Sequence, residues 1–381
     1  MILTAIAAVF LKLGTIAFGG PAAHIAMMED EVVRRRKWLT RDEFLDYLGA
    51  TNLIPGPNST ELAIHIGRVR GGWPGLVVAG TCFILPAAII VSAIAWIYVR
   101  FGSLPEVSSI LYGVKPVVIA VVLQALSGLG RSAVKTRVLA LIGIASVVAV
   151  IAGCNEIAVL IGAGIVASIV AAPRAESASR EPVGHGVSVS PLLPGAAAPM
   201  ALGTAGTVAF GLWPLFFTFA KIGAVLFGSG YVLLAFLRAD LVQRLGWLTE
   251  QQLLDAVAVG QVTPGPVFTT ATFIGYVLGG VPGAVVATVG IFLPAFVFVA
   301  LSGPIVPRLR RSRIASAALD AVNAASLGLM ALVSWQLARA SLVNWTTLMI
   351  ALGAALLLAT RRVNAAWIVV AGGIVGVALG S

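Results

Sequence analysis

Two lysines, Lys12 and Lys221, each interrupt an otherwise apolar run, and they stand 209 residues apart (221 − 12 = 209). An ionised ammonium at the centre of a hydrocarbon layer is costly, so it snorkels, pairs with a buried acid, or faces a polar cavity that has a function. Found twice at corresponding depths, the two groups suit one further chemistry: converging on a single site, they neutralise a dianion. Pro55-Gly56-Pro57 and Pro264-Gly265-Pro266 are also 209 residues apart (264 − 55 = 209). Each must break a helix, since proline has no N–H and clashes with the turn before it. A helix restarting behind such a break offers free N–H groups and the positive end of its dipole, which hold anions without a full charge. At the restarts lie Asn58, Ser59 and Thr60 in one half and Thr269 and Thr270 in the other, with Asn52 and Gln261 ahead of the prolines as further donors. Ordinary capping by hydroxyl residues is the competing use, and a cap can double as a ligand site.

Three acids lie close by. Asp46 and Asp255 match between the halves, and Glu61 does not. They are candidates for coupling transport to protons, although pairing with loop arginines is the favoured reading for the two aspartates. His24, His65 and His185 show no metal-ligand spacing. The chain contains no HExxH, GxSxG or P-loop motif, so neither an enzyme nor a bound cofactor is expected. Cys82 and Cys154 form no disulfide or metal framework.

The elements that position these groups follow from composition. Of 381 residues, 59% are hydrophobic and 10% charged, where a soluble domain carries about a quarter. The solvent of this chain is therefore lipid, and its expected surroundings are the bilayer. The formal charge of +10 sits in short clusters between apolar spans, which is the pattern of orienting charges and not of nucleic-acid binding.

The halves repeat. Trp38-Leu-Thr40 recurs as Trp247-Leu-Thr249 and Phe18-Gly19-Gly20-Pro21 as Phe227-Gly228-Ser229-Gly230; after one indel, Gly71-Gly-Trp-Pro-Gly75 recurs as Gly279-Gly-Val-Pro-Gly283. The glycines after each phenylalanine are expected to unwind the end of the first span. The expected division is a first membrane repeat over 1–172, a linker rich in Pro, Ser and Gly over 173–205, and a second repeat over 206–381. The fold class expected is an all-α polytopic membrane protein of about ten transmembrane helices, five per half.

Basic residues set the orientation. In the first half they follow the first span (Arg34 to Lys37, Arg41) and flank the split segment (Arg68, Arg70); in the second they gather at Arg308 to Arg313 and at Arg361 and Arg362. Equivalent loops thus face opposite sides, an inverted repeat, which an odd number of crossings per half produces. Both flanks of the first split segment are basic, so it should enter and return as a re-entrant hairpin; the alternative is one kinked crossing. Thr40-x-x-Glu43 and Thr249-x-x-Gln252 read as capping boxes that start the first arms.

Phe-Gly-Gly-Pro, Trp-Leu-Thr, Pro-Gly-Pro and the Gly-Gly-x-x-Gly…Leu-Pro run together resemble the chromate ion transporter family, and the two fused copies are similar to its long form. The resemblance covers residues 5–304 apart from the linker and, less distinctively, the last spans. It implies efflux of chromate across the bacterial inner membrane and resistance to it, with sulfate as a structural analogue; separately, the orientation of the halves leads to the expectation that the linker over 173–205 is cytoplasmic. The resemblance leaves room for a homodimer. The second copy departs from the pattern at Ser229 and at Val267-Phe268, so the two halves need not contribute equally. An organic-anion carrier and a passive anion channel are the rival readings.

Overall fold

The computed structural model describes residues 1–18, 20–102, 105–178, 210–226, 232–360, 363 and 365–380. Among them every regular element is helical. The α-helices are α1 (Ile2–Ile16), α2 (Gly20–Glu29), α3 (Arg41–Thr51), α4 (Asn58–Phe101), α5 (Pro105–Ala133), α6 (Arg137–Ile151) and α7 (Glu156–Ala178). They are followed by α8 (Leu212–Val225), α9 (Leu233–Leu237), α10 (Glu250–Val262), α11 (Thr270–Arg311), α12 (Arg313–Ser341), α13 (Trp345–Ala359) and α14 (Ala365–Gly380). Helix α7 runs on to Ala178, into the start of the expected linker, and 179–209 lie outside the described residues.

Helix α1 buries Ile6, Val9, Phe10, Leu13 and Gly14, the one-face spacing of an amphipathic helix, and packs that face on α4. Gly14 allows the close approach: a Cβ there would stand 2.6 Å from the Phe83 carbonyl oxygen. Helix α8 meets α11 in the same way, with Gly223 against the Ile291 carbonyl. Helix α1 stops at Ile16, with Ala17 extended, and α8 stops at Val225, with Leu226 extended. The glycine-rich breaks were expected at these ends. Gly20 opens α2 at φ 76°, whereas Gly19, Gly228 and Ser229 lie outside the described residues.

Helices α2 and α9 both widen into a π-helical turn, Asp30–Arg35 and Arg238–Arg244. Both expected capping boxes then form. The Glu43 N–H donates to Thr40 Oγ1 at 3.2 Å while the Thr40 N–H donates to Glu43 Oε2 at 2.8 Å. In the second, the Gln252 N–H donates to Thr249 Oγ1 at 3.1 Å and the Thr249 N–H to Gln252 Oε1 at 3.0 Å.

Each Pro-Gly-Pro folds its segment back on itself. Tyr47 on α3 stacks on His65 of α4, with ring centroids 5.6 Å apart, which one kinked helix could not achieve across the intervening residues. In the second half a Cβ on Gly260 of α10 would collide with the Thr270 hydroxyl. A second reversal follows at Gly71-Gly72 and at Gly279-Gly280. Gly72 has φ 62° and ψ −149°, and Gly280 has φ 61° and ψ −150°, a region that essentially only glycine enters. Gly67 then lies against Gly75, and Gly275 against Gly283, with no room for a side chain at either contact.

The chain interlaces. Helices α1, α4, α8 and α11 form one packed group, in which α4 meets α11. Helices α6 and α7 pack on α12, while α13 and α14 pack on α5, and α5 meets α12. The last two helices of each half are therefore held by the opposite half.

The surface is lipid-like. Helix α6 presents Leu141, Ile144, Val148 and Ile151 outward, with Ile151 68% exposed. Trp213, Trp345 and Trp367 are exposed near helix starts, where aromatic rings anchor to a bilayer interface. Among the described residues four helical stretches are long and apolar enough to cross a membrane, Asn58–Phe101, Ser109–Gly128, Val267–Ser302 and Ile314–Ser341, and six shorter apolar helices accompany them. The protein is a polytopic, all-helical membrane protein.

The glycine geometry gives a graded test. Alanine at Gly72 or Gly280 must hold a side chain in a glycine-only region, at a cost of about 1–3 kcal/mol. Alanine at Gly128, an exposed helical site with open space around it, should be neutral or stabilising by up to about 1 kcal/mol. Thermal unfolding of the detergent-solubilised protein should rank the variants in that order; equal melting at Gly72→Ala and wild type would contradict the reversal.

Candidate functional site

The two lysines do not stand free. Lys12 Nζ lies 2.9 Å from Glu31 Oε2, and Arg36 Nε lies 2.9 Å from Glu31 Oε1. In the second half Lys221 Nζ lies 2.5 Å from Asp240 Oδ2, and Arg244 holds Asp240 Oδ1 at 3.0 Å. Glu31 and Asp240 sit in the π-helical turns and are 209 residues apart (240 − 31 = 209), so one arrangement occurs twice. Each acid is almost fully buried and each lysine is part-exposed, Lys12 47% by side chain and Lys221 33%. Every such cluster has two cations and one anion, a net +1 (2 − 1 = 1). Sequence reasoning, which set Asp240 against Arg244, named neither acid as a lysine partner, and the shared offset was the signal that could have found them.

The tips of the two hairpins lie against the opposite half. The Gly56 N–H donates to the Leu226 carbonyl at 2.8 Å, and the Gly265 N–H donates to the Ala17 carbonyl at 2.9 Å. Leu226 and Ala17 are the residues at which α8 and α1 break off. A Cβ on Gly265 would meet Ala87 at 2.7 Å and the Gly14 carbonyl at 3.1 Å, so only glycine fits there. Pro55, Pro57, Pro264 and Pro266 flank these glycines and end the helices on either side. Pro21 sits in the first turn of α2, where its missing N–H costs nothing.

Around the first tip the expected donors come together. The Asn58 amide donates to Asn52 Oδ1 at 2.8 Å across the turn. Ser59 is buried with its hydroxyl 3.3 Å from His24 Nδ1, and His24 Nε2 lies 3.1 Å from the Ala17 carbonyl. Ala17 thus links His24 to the second hairpin's Gly265. Thr60 and Glu61 follow, both fully buried. Around the second tip, Thr269 and Thr270 turn their hydroxyls onto the Pro266 and Val267 carbonyls, each at 2.8 Å. Gln261 lines a cleft of about 10 Å³, the size of one water, together with Val267, Thr270 and Leu237.

The matched aspartates diverge. Asp255 is buried, with Lys115 Nζ 3.0 Å from its Oδ1 and the Tyr98 hydroxyl donating to its Oδ2 at 2.8 Å. The same ammonium reaches Gln251 at 2.6 Å. Lys115 and Tyr98 belong to the first half, so the second hairpin is tied to it, whereas Asp46 lies on an exposed face of α3. Arg68, near the end of the first arm of α4, donates to the Val299 and Ala300 carbonyls at 2.7 and 2.6 Å and so ties the first half to α11. Among the described residues no cluster of His, Cys, Asp and Glu could hold a metal ion.

Comparison with known proteins agrees with this doubled arrangement. A family described as "Chromate transporter" matches twice, over residues 4–168 and 213–377, two segments offset by 209 (213 − 4 = 209). A "Chromate transport protein" of Cupriavidus metallidurans is 34% identical over 96% of this chain and 90% of its own length. A "Chromate transport protein" of Pseudomonas aeruginosa is 32% identical over 96% and 90%. A "Probable chromate transport protein" of Synechococcus elongatus is 32% identical over 90% and 86%. No solved structure matches the chain.

The Arg36 guanidinium, then the Lys12 ammonium, hold the Glu31 carboxyl below the usual carboxylate range. A folded-state value depressed below the unfolded one stabilises above the unfolded value, and that stability is lost as pH falls through the folded value. Glu31→Gln should therefore lower the melting temperature at neutral pH and flatten its decline on acidification. A variant that melts like wild type at neutral pH would show the cluster to be ornamental.

Proposed function

Because the chain belongs to the chromate transporter family, we propose that it is a secondary transporter that exports chromate, a tetrahedral oxyanion dianion, across a bacterial inner membrane and so confers resistance. The observation that carries the mechanistic part is the doubled charge cluster. Each cluster is net +1, so the two together match the charge of one dianion while every lysine keeps a partner. Stored this way, the positive charge costs less in a low-dielectric setting than two bare ammonium groups. The hairpin tips add direction. The restarting helices α4 and α11 bring Asn58, Ser59 and Thr60, and Thr269 and Thr270, to the ends where N–H groups and the positive dipole favour an anion. Asn52 and Gln261 complete the donor set from the arms before the prolines.

In this reading the two halves are inverted repeats, each with five crossings and one re-entrant hairpin, and the linker is cytoplasmic. The shorter apolar helices are the remaining crossings. The change of access moves the group of α1, α4, α8 and α11 with their hairpins against α5–α7 and α12–α14. Packing favours that division over one repeat rocking against the other, because each half grips the last two helices of its partner. An inside-negative membrane potential supplies outward force on a dianion, about 2.3 kcal/mol per charge per 100 mV. Sulfate, with the same shape and charge, is the alternative substrate on the same scaffold.

Proteoliposomes loaded with radiolabelled chromate test the function: an imposed potential should drive chromate flux, and sulfate should compete. Lys12→Ala and Lys221→Ala each reduce one cluster to net zero and should weaken chromate binding on the order of tenfold, about 1.4 kcal/mol. Wild-type affinity in both variants would remove the charge-cluster mechanism, and no chromate flux in intact vesicles would remove the substrate. For the inversion, single cysteines at Arg35 and Arg244, both exposed, should label from opposite sides in a background with Cys82 and Cys154 replaced. Labelling of both from one side would refute it.

A further inference from the structure

Glu61 is the most isolated acid in the described structure. It is fully buried on the first turn of α4, and neither carboxylate oxygen has a hydrogen-bond partner. Its carboxyl packs directly on Gly56 at the hairpin tip, where any Cβ would collide with Oε1 and would also approach Ala295 of α11. It therefore lies where the first tip is seated on the second half. The hydroxyl of Thr60 and Nε2 of His65, on the same stretch of α4, are likewise buried without partners. Three unsatisfied polar side chains over two turns of one buried helix are rare in a folded protein and point to a ligand that visits.

The surroundings offer Glu61 no fixed counter-charge. On α1, Lys12 is committed to Glu31, and on α2, His24 is committed to Ser59 and the Ala17 carbonyl. On α3, Tyr47 stacks on His65, while Asp42, Glu43 and Asp46 are exposed. On α10, Asp255 is held by Lys115 and Tyr98. Between Thr270 and Ser302, α11 has no charged residue, with Tyr276 its one titratable group. On α4 itself, Arg68 is turned to the Val299 and Ala300 carbonyls. Only the positive end of α4 is left to attract a negative charge.

That end is also where the oxyanion was placed. Resting on that reading, we propose that Glu61 is the proton-binding residue of the transporter: its carboxylate and the oxyanion compete for the first hairpin tip, so the anion binds when Glu61 has taken up a proton. A carboxylate and a dianion cannot share one dry helix end, whereas a protonated carboxyl can donate a hydrogen bond to an oxyanion. Proton and anion then raise each other's affinity, by reciprocity of linked binding. One proton per dianion leaves a single negative charge to cross, which an inside-negative potential still drives outward. The copy of Glu61 is Thr269 or Thr270, according to where the one-residue indel falls (61 + 208 = 269; 61 + 209 = 270), and both hydroxyls are bonded to backbone carbonyls, so only one of the two tips has this competitor.

The test is calorimetry of chromate binding to the full-length protein, in buffers of different ionisation enthalpy and across a range of pH. Chromate takes up a proton of its own near neutrality, and that contribution is common to wild type and variants. Wild type should take up about one proton more per chromate than Glu61→Gln, and above the Glu61 pKa its affinity should fall by about tenfold more per pH unit. Glu61→Asp, which keeps the acid, should retain the extra proton if Glu61→Gln fails to fold. Equal proton uptake in wild type and Glu61→Gln would overturn the proposal while leaving the oxyanion site standing. Wild type that binds chromate without any excess proton would do the same. Absence of chromate binding at every pH would remove the oxyanion site and this inference together.

Discussion

The structure depends on two backbone hydrogen bonds, from the Gly56 N–H to Leu226 and from the Gly265 N–H to Ala17. In hydrocarbon an unsatisfied backbone group has no water to turn to, so helices cannot simply end there. This chain interrupts four helices near one place: α1 and α8 break at their C-terminal ends, and α4 and α11 restart after Pro-Gly-Pro. Each interruption frees groups of one polarity, and the pairing across the halves uses them on each other. Glycine stands between the prolines for two reasons. Its N–H is the donor that proline lacks, and its missing side chain lets α4 or α11 of the other half come close.

The same constraint explains why the halves interlace. Tips that must reach the other half's first helix cannot belong to two separate bundles, and the exchange continues outward, with α6 and α7 on α12 and α13 and α14 on α5. The interlacing is not symmetric. Helix α10 rests on α5, α12 and α14 and is pinned by Lys115 and Tyr98, whereas the principal neighbour of α3 is α4. In the sequence this difference lies at both partners of Asp255: the positions matching Lys115 and Tyr98 are Asn323 and Val306 (115 + 208 = 323; 98 + 208 = 306). Two hairpins of one design are thus held by different contacts.

Much of this was legible in the chain, for physical reasons. Helix breaks, capping boxes and glycine reversals are local, set by residues within a few positions of one another, and each occurs where its residues stand. The apolar helices were legible because composition alone decides their solvent. The partners of the lysines were not. Lys12 meets Glu31 through a loop and a π-helical turn, a widening of the helix that no periodicity announces, and nothing in the sequence around it sets Glu31 apart from the other charges after the first span. His24 has no metal-ligand spacing to mark it, yet it joins Ser59 to Ala17 beneath both tips. Contacts between the halves, such as Arg68 on the Val299 and Ala300 carbonyls, are invisible to any argument from spacing.

In the proposed function the lysine clusters and the hairpin tips answer different parts of one electrostatic problem. A dianion entering a dry interior needs positive charge, and a free cation waiting there is as costly as the anion itself. Glu31 and Asp240 hold that cost down by keeping each lysine paired while leaving each cluster one charge short of neutral. Helix ends supply the rest as partial charges, which need no counter-ion at all. Such a division accounts for the position of the acids. They are placed on the turns after the first helices, where the guanidinium groups of Arg36 and Arg244 reach them from the chain's exposed side, and not at the tips. The tips remain dipolar, and at the first of them the one formal charge in reach is that of Glu61, which a proton can remove.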